Sequence, residues 1–490
     1  MTPDQRRTYP NARRFAAQAL LALTLAACSS TNIPLIEASI APPAPQKQAE
    51  RTTPQQREHQ RILAAYGGAY RSEKLQDMLE KTVEKLVAVS ERPDLKYQVT
   101  ILNASAINAF ALPDGQLYVT RGLIALANDH SELASVLAHE MAHVIARHAA
   151  IREDQARQAE LVSRVATDLL SDPQLGALAL AKSKITLANF SRAQEFEADG
   201  IGVGITARAG FDPYGAERFL TSMGHNAHLR AQSANIDPRS PDFLSSHPAT
   251  PERITNAVAS ARQIAGPGSG AREKAEYLAM LDGIVHGDDP SEGFVRGRRF
   301  LHPKLGFTFT APDGFVLDNT AQAVFGVKDN GAQALRLDVV RVPAEQTLRD
   351  YLVSGWIEDI DRKSVEQFNV SGFPAATATA NGDHWTFRLY VVRFGSEVYR
   401  IIFAAKNRTD AVDRTFRDSI NTFRRMSLAE MQSAQPLRIR LIQVKQGDTV
   451  ERLARRMAGG DRPLERFRVL NGLGAQDKVK PGDMVKVVVE

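Results

Sequence analysis

A chain of 490 residues is too long for one hydrophobic core and calls for about three domains at roughly 150 residues each. With 43% hydrophobic and 24% charged residues it has the composition of a folded, water-soluble protein, which excludes a disordered or collagen-like chain. The formal charge of +5 owes much to the first residues, where Arg6, Arg7, Arg13 and Arg14 stand against Asp4 alone, so it makes no case for a nucleic-acid partner.

Those arginines precede 15-FAAQALLALTLAA-27, an apolar run too short to span a bilayer comfortably, so residues 1–27 read as a secretory leader. It ends in Leu25-Ala26-Ala27-Cys28, which resembles the bacterial lipobox. The resemblance implies a lipid on Cys28 and, with Ser29 rather than aspartate next, an outer-membrane address. A plain leader that includes a cysteine by chance is the alternative. A lone thiol kept in an oxidising compartment would then need explaining, since Cys28 is the only cysteine. Residues 28–56, rich in Pro, Ala and Gln, cannot bury a core and read as a tether.

From residue 57 to 265 the pattern is mostly helical around a small sheet. Leu75, Leu79, Val83, Leu86 and Val87 repeat at helical spacing. The runs 97-YQVTIL-102 and 115-GQLYVT-120 predict two strands, and 266-GPGSG-270 punctuates the end of the unit. Within it stands 139-HEMAH-143. Residues four apart on a helix differ by about 40° around its axis, so His139 and His143 project from one face and can reach one zinc at about 2.0–2.1 Å. Glu140, about 100° round, is free to take the proton of an attacking water. A metzincin would need glycine at Ala146 and histidine at Ala149, so that class is excluded. His148, about 140° from His143, is expected to cap or pack. The later run 191-SRAQEFEADGIGV-203 offers Glu195 and Asp199 on one helix face. Glu195 would complete a His₂Glu set and Asp199 would accept the second N–H of a ligand histidine. Taken alone, the same acids would read as a solvated turn.

Together with 66-YGGAY-70, 107-INAFALPDGQLYVTRGL-123, 132-ELASVLAHEMAHVIARHA-149 and 247-HPATPERI-254, these motifs resemble the M48 zinc metallopeptidases, in the soluble periplasmic branch similar to outer-membrane assembly proteases. The resemblance implies a gluzincin-type domain with one Zn2+ at His139, His143 and Glu195, and Glu140 as general base. It also implies a substrate-binding edge at Asn108, Ala109 and Phe110, where an extended peptide adds as another strand. A Phe110 simply buried at a strand end is the alternative. His247 and Arg253 are brought near the metal and join Glu140 as candidate catalytic residues. His247 either fills the open zinc position and keeps the enzyme latent or stabilises the oxyanion, unless it merely caps a helix before Pro248.

Residues 271–430 predict an α+β sandwich, with strands at 305–312, 335–342, 385–394 and 397–405 and helices near 345–356 and 411–423. The unit looks faintly like a PsbP-type domain, and its His286, His302 and His384 stand alone. Residues 437–490 read strand, helix, helix, strand. Their 470-LNGL-473 and 481-PGDMVKV-487 resemble the LysM domain, the module that binds peptidoglycan, although this copy is rich in basic residues and a purely structural cap is the alternative. The expectation is an α+β multidomain protein: a lipid-anchored zinc metalloendopeptidase on the periplasmic face of the cell envelope that acts on misfolded or stalled envelope proteins. The rival expectation is a chaperone or cell-wall adaptor with a latent peptidase domain.

Overall fold

In a computed structural model of the chain, the described residues are 53–154, 157, 190–232, 247, 248 and 250–490 except 358 and 383. The leader, Cys28 and the tether up to residue 52 lie outside them.

Helix α1 (Pro54–Ala65) leads to α2 (Glu73–Ala88), whose Leu75, Met78, Leu79, Val83 and Leu86 form a buried stripe at three- and four-residue spacing. A small sheet follows. Strand β1 (Gln98–Leu102) runs parallel to β3 (Gln116–Thr120), and β2 (Ala109–Ala111) pairs antiparallel with the other side of β3. Two strands were expected here and three are present, because a three-residue strand is too short to show alternation. β2 is the edge of this sheet.

Helix α3 (Arg121–Leu126) then gives way to α4 (His130–Ile145), which is buried along its whole length from His130 to His143 and is the axis of the domain. Asp129 caps α4 by accepting from the Glu132 backbone N–H. Across α4 lies α5 (Arg192–Arg208), started by a capping box in which Ser191 and Gln194 satisfy each other's backbone N–H. The two helices meet at Gly202, where an added Cβ would stand 3.1 Å from the His139 backbone. A larger residue would push α5 away from the histidines.

Helices α6 (Gly215–Gln232), α7 (Pro251–Ile264) and α8 (Lys274–Leu281) complete the unit. Its core runs past the Gly266–Gly270 turn, since Tyr277, Leu278 and Leu281 of α8 pack into it.

The next unit stacks two antiparallel sheets. The larger has the order β10-β11-β12-β13-β9-β8-β7, with β7 Val316–Asn319, β8 Val324–Lys328, β9 Gln333–Val340, β10 Ile360–Val370, β11 Phe373–Asn381, β12 Thr386–Phe394 and β13 Glu397–Ala405. The smaller has the order β14-β6-β5-β4, with β4 Phe294–Arg296, β5 Arg299–His302, β6 Phe307–Thr310 and β14 Arg424–Arg425. Phe300, Phe307, Phe309 and Phe403 fill the space between them together with Phe416 of α10 (Asp410–Ile420). The other face of the large sheet is covered by α9 (Leu348–Leu352) over Ala376, Ala378 and Ala380. A short helix, α11 (Leu428–Ser433), leads out.

The C-terminal unit has the expected order: β15 (Arg438–Gln443), α12 (Val450–Ala454), α13 (Pro463–Leu470) and β16 (Met484–Val489), with β15 antiparallel to β16. It is joined to the first unit through buried surface. Leu437, Ile439, Leu470 and Val488 belong to the core built by α2, α3 and α4. Lys486, fully buried, donates to the carbonyl oxygens of Ala125 (2.8 Å), Leu126 (3.2 Å) and Ala127 (2.8 Å). Those are the last carbonyls of α3, which no further helical turn can satisfy and where the helix dipole favours a cation. Among the described residues no helix is long and apolar enough to cross a membrane.

Candidate metal centre

Helix periodicity places the first two residues of the site. His139 and His143 lie on adjacent turns of α4, with Nε2 atoms 3.1 Å apart. From α5, the Glu195 carboxylate approaches to 3.5 Å from His139 Nε2 and 3.6 Å from His143 Nε2. His247, just ahead of α7, brings Nδ1 to 3.3 Å from His139 Nε2 and 2.8 Å from Glu195 Oε1. All four side chains are buried, and each offers one donor atom in a set that lies within 4.8 Å of one another.

The donor spacing can be tested against a metal. Four ligands at about 2.0–2.1 Å in a tetrahedron stand roughly 3.3–3.4 Å apart, and the separations here run from 2.8 to 3.6 Å. Hydrogen bonding points the same way. Asp199 Oδ1 lies 3.0 Å from His139 Nδ1, so the proton of that ring sits on Nδ1 and a lone pair on Nε2. With the other ring nitrogen of His143 engaged by His148, two imidazole lone pairs face each other. That contact is repulsive unless a proton or a metal ion lies between them.

Charge agrees as well. Among the described residues Glu140, Glu195 and Asp199 are offset by one guanidinium, that of Arg253, a surplus that suits a divalent ion. Burial alone would lower the pKa of His139, but hydrogen bonds to Asp199 and Glu195 raise it to about 9, so a proton balances the cluster when no metal does. Burial likewise opposes the ionised form of Glu195, yet the hydrogen bonds to His139 and His247 hold it well below the usual carboxylate range. These residues fit a zinc ion.

Glu140 is set apart. It is 2% exposed, its Oε1 makes no hydrogen bond among the described residues, and that oxygen stands 3.8 Å from His247 Nε2. Burial raises its pKa, which strengthens it as a base.

Arg253 lies behind the ligands. Its Nε and Nη2 donate to both oxygens of Asp199 at 2.8 and 2.7 Å, and its Nη1 stands 2.8 Å from Glu195 Oε2. The guanidinium thus fixes the carboxylate that orients His139 and turns the other Glu195 oxygen toward the histidines. Sequence reasoning placed Arg253 near the metal without anticipating this bridge.

His148 was expected to cap or pack because an unbroken helix would carry it away from His143. The helix does not continue unbroken. Arg147 takes a left-handed conformation at φ 57°, uncommon for a residue with a Cβ, and the chain folds His148 back so that its Nδ1 lies 2.9 Å from His143 Nδ1. His148 therefore does for His143 what Asp199 does for His139. Its Nε2 faces exposed Glu197 at 3.3 Å. Phe190 stacks on the His143 ring with centroids 4.1 Å apart. No motif in the sequence signals either contact.

The predicted substrate edge is a strand edge. Buried Ala109 faces the core, whereas half-buried Phe110 faces α1, stacking on Tyr118 at 4.9 Å. Asn108 donates from Nδ2 to the Tyr66 hydroxyl at 2.9 Å. Among the described residues no strand pairs with the other backbone edge of β2. Of the other histidines, His302 packs between Phe300 and Phe307, and His286 lies at the junction of the three units.

Two family models match parts of the chain. The profile of peptidase family M48 matches residues 73–261, and that of the LysM domain matches residues 442–488. The beta-barrel assembly-enhancing protease of Escherichia coli is 33% identical over 189 residues, 37% of each chain. The mitochondrial metalloendopeptidase OMA1 of Schizosaccharomyces pombe is 33% identical over 181 residues, 36% of this chain and 50% of that one. The chain thus spans little more than a third of the length of its Escherichia coli relative. A solved PsbP from Synechocystis aligns with 28% of this chain and 98% of its own at 14% identity, with a TM-score of 0.21.

Proposed function

We propose that this chain, which carries a peptidase family M48 domain and a C-terminal LysM domain, is a zinc metalloendopeptidase of the cell envelope that cleaves misfolded or stalled envelope proteins. The observation that carries the reading is the convergence of His139, His143, Glu195 and His247 on one point, with Glu140 Oε1, which makes no hydrogen bond among the described residues, beside it.

Zinc bound there would supply an activated water and polarise the scissile carbonyl. The chain's own residues do the rest. His139 and His143 hold the ion, each with its second nitrogen tied down by Asp199 or His148. Glu195, pinned by Arg253, gives the third ligand. Glu140 takes the proton of the attacking water and returns it to the leaving amine. His247, with Nδ1 3.3 Å from His139 Nε2, would complete the set of residues that hold the ion, and its withdrawal would make room for a substrate. An extended substrate would pair with the free backbone edge of β2, a mode that reads shape rather than sequence and suits unfolded chains.

The LysM domain is the candidate anchor to peptidoglycan. Because it shares the peptidase core, wall binding would hold the peptidase as one body. A lipid on Cys28 would add a membrane tether. Cleavage of casein by wild type and by Glu140→Gln tests the mechanism. The variant should bind zinc normally and cut nothing; undiminished cleavage would remove Glu140 from its role. Growth with labelled palmitate tests the tether: wild type should be labelled and Cys28→Ala should not.

A further inference from the structure

A cavity of about 210 Å³ lies where the loop before β2, helix α6, the 285–287 connection and helix α13 of the C-terminal domain meet. Two arginines line it, Arg121 and Arg466, and among the described residues no carboxylate does; Ile107, Leu126, Leu229 and Met457 make its apolar walls. The two cations differ. Arg121 is spent on structure, since its Nε donates to Asn103 Oδ1 and its Nη1 and Nη2 to the carbonyls of Val285 and Gly287. Arg466 donates only from Nη2, to the Ala458 carbonyl at 3.3 Å, while its Nη1 is buried with no hydrogen-bond partner among the described residues. A buried guanidinium group left unpaired is costly unless an acceptor joins it. Half-buried His286 reports the local field: burial, then Arg466, Arg121 and Lys486, push its pKa down to about 3.

This chamber is the inner end of a wider crevice of about 950 Å³ that runs past Tyr66 to Leu317 of β7. Charges in the crevice are mixed: Arg296 and Arg298 line it together with Asp288 and Glu292. Its wall includes Ile107, two residues before Ala109 at the start of β2. Two residues of extended chain cover about 7 Å, so crevice and strand edge are neighbours.

We propose that the chamber is a carboxylate-binding subsite that receives the C-terminal residue of an extended polypeptide, its terminal carboxylate on Arg466 Nη1 and its apolar side chain against Ile107 and Leu126. The crevice holds the residues behind it and leads them to β2. This deepens the peptidase reading by naming the substrate feature recognised, and it rests on that reading only for what happens at β2. A fatty acid also presents a carboxylate on an apolar body. The mixed charges of the crevice favour a polypeptide backbone.

Full-length protein carrying Glu140→Gln can be titrated with a hexapeptide labelled at its N-terminus and ending in leucine, either as the free acid or as the C-terminal amide, with fluorescence polarisation as readout. The free acid should bind about tenfold or more tightly than the amide, as a buried charge-assisted contact implies. Arg466→Met, which keeps the length of the stem, should bring the acid down to the level of the amide, and Arg466→Lys should recover part of the difference. Equal affinity for acid and amide overturns the subsite, as does a preference that survives in Arg466→Met. Displacement of the peptide by laurate at lower concentration than by unlabelled peptide overturns the polypeptide assignment. Should Arg466→Met fail to fold, the acid and amide comparison in the Arg466 parent decides alone. Casein cleavage by the otherwise wild-type chain separates the two readings. Cleavage with no carboxylate preference sinks the subsite and leaves the peptidase, and the converse result does the reverse.

Discussion

Helix α4 buries a charged cluster at each end, and the two are built differently. At its N-terminal end Asp129 accepts from Ser131 Oγ at 2.6 Å, from the Glu132 N–H at 3.0 Å and from Arg272 Nε at 2.9 Å, with Arg218 Nη2 at 3.1 Å. Glu132 accepts from the Asn128 N–H at 2.9 Å, and Lys486 closes the end of α3 beside it. Cations meet anions and nearly every donor meets an acceptor; the exception is Arg218 Nε, which stands 3.6 Å from Glu132 Oε1 without a hydrogen bond. Two turns on, imidazole lone pairs and carboxylate oxygens face one another. Burial is common to both clusters and so does not mark function. The mark is whether the polar atoms satisfy one another without help, as structural clusters do; the second cluster needs a cation.

The strongest test of the contrast attacks the self-satisfied end. A modular reading of the sequence implies that residues 437–490 can be removed without harm to cleavage. The shared core says otherwise: deletion uncovers the surface against which Leu437, Ile439, Leu470 and Val488 are packed. At about 1.5–3 kcal/mol for each buried apolar side chain, the loss rivals the whole stability of a domain. The truncated chain should be insoluble or unfolded by circular dichroism. A soluble, active truncation would show the two units to be independent.

Next in size is the cation-requiring end. Glu140→Gln should lower hydrolysis by about 10²–10⁴-fold, the usual contribution of a general base, while the melting temperature stays near wild type. A large fall in melting temperature instead would make Glu140 structural.

A smaller effect is expected at Lys486. Lys486→Met leaves the carbonyls of Ala125 and Ala127 buried without this donor, while Asn128 Nδ2 still donates to that of Leu126, a cost of roughly 1–3 kcal/mol, readable as a drop of several degrees in melting temperature. Unchanged melting would mean that the C-terminal unit is not held by this contact.

The smallest effect contrasts histidines. His139 lies among carboxylates and is held charged, whereas His302 lies between phenylalanines, and burial pushes its pKa down to about 4. The folded state therefore binds fewer protons than the unfolded state between about pH 4 and the unfolded value near 6.5. Stability is fully present above pH 6.5 and falls as pH drops toward 4. Urea unfolding at pH 7 and pH 4.5 should show a smaller acid loss in His302→Phe than in wild type. Equal losses would mean that His302 takes up a proton without opposition.

The sequence made the second cluster legible and hid the first. His139 and His143 are four residues apart on one helix, and so are Glu195 and Asp199 on another, so periodicity alone puts each pair on one face. Lys486 is separated from Ala125–Ala127 by some 360 residues. Nothing local marks it as buried, and it reads as one more surface base. His148 was hidden by a backbone reversal at Arg147, a residue type that does not announce a left-handed turn. In the sandwich, β10 and β11 were missed because 373-FPAATATA-380 is short of branched and aromatic residues. The alanines are there because α9 packs directly on them.

The central claim is that one buried cluster on α4 is a metal site and the other is not, and metal content tests it most directly. Protein purified without its leader, stripped by chelator and reloaded with zinc, should hold about one ion per chain, the complement of a single catalytic site. Glu195→Ala should lose most of that affinity, and Glu132→Gln, at the other end of the same helix, should keep it. Wild type that takes up no zinc, or a Glu195→Ala variant that binds as wild type does, would contradict the account.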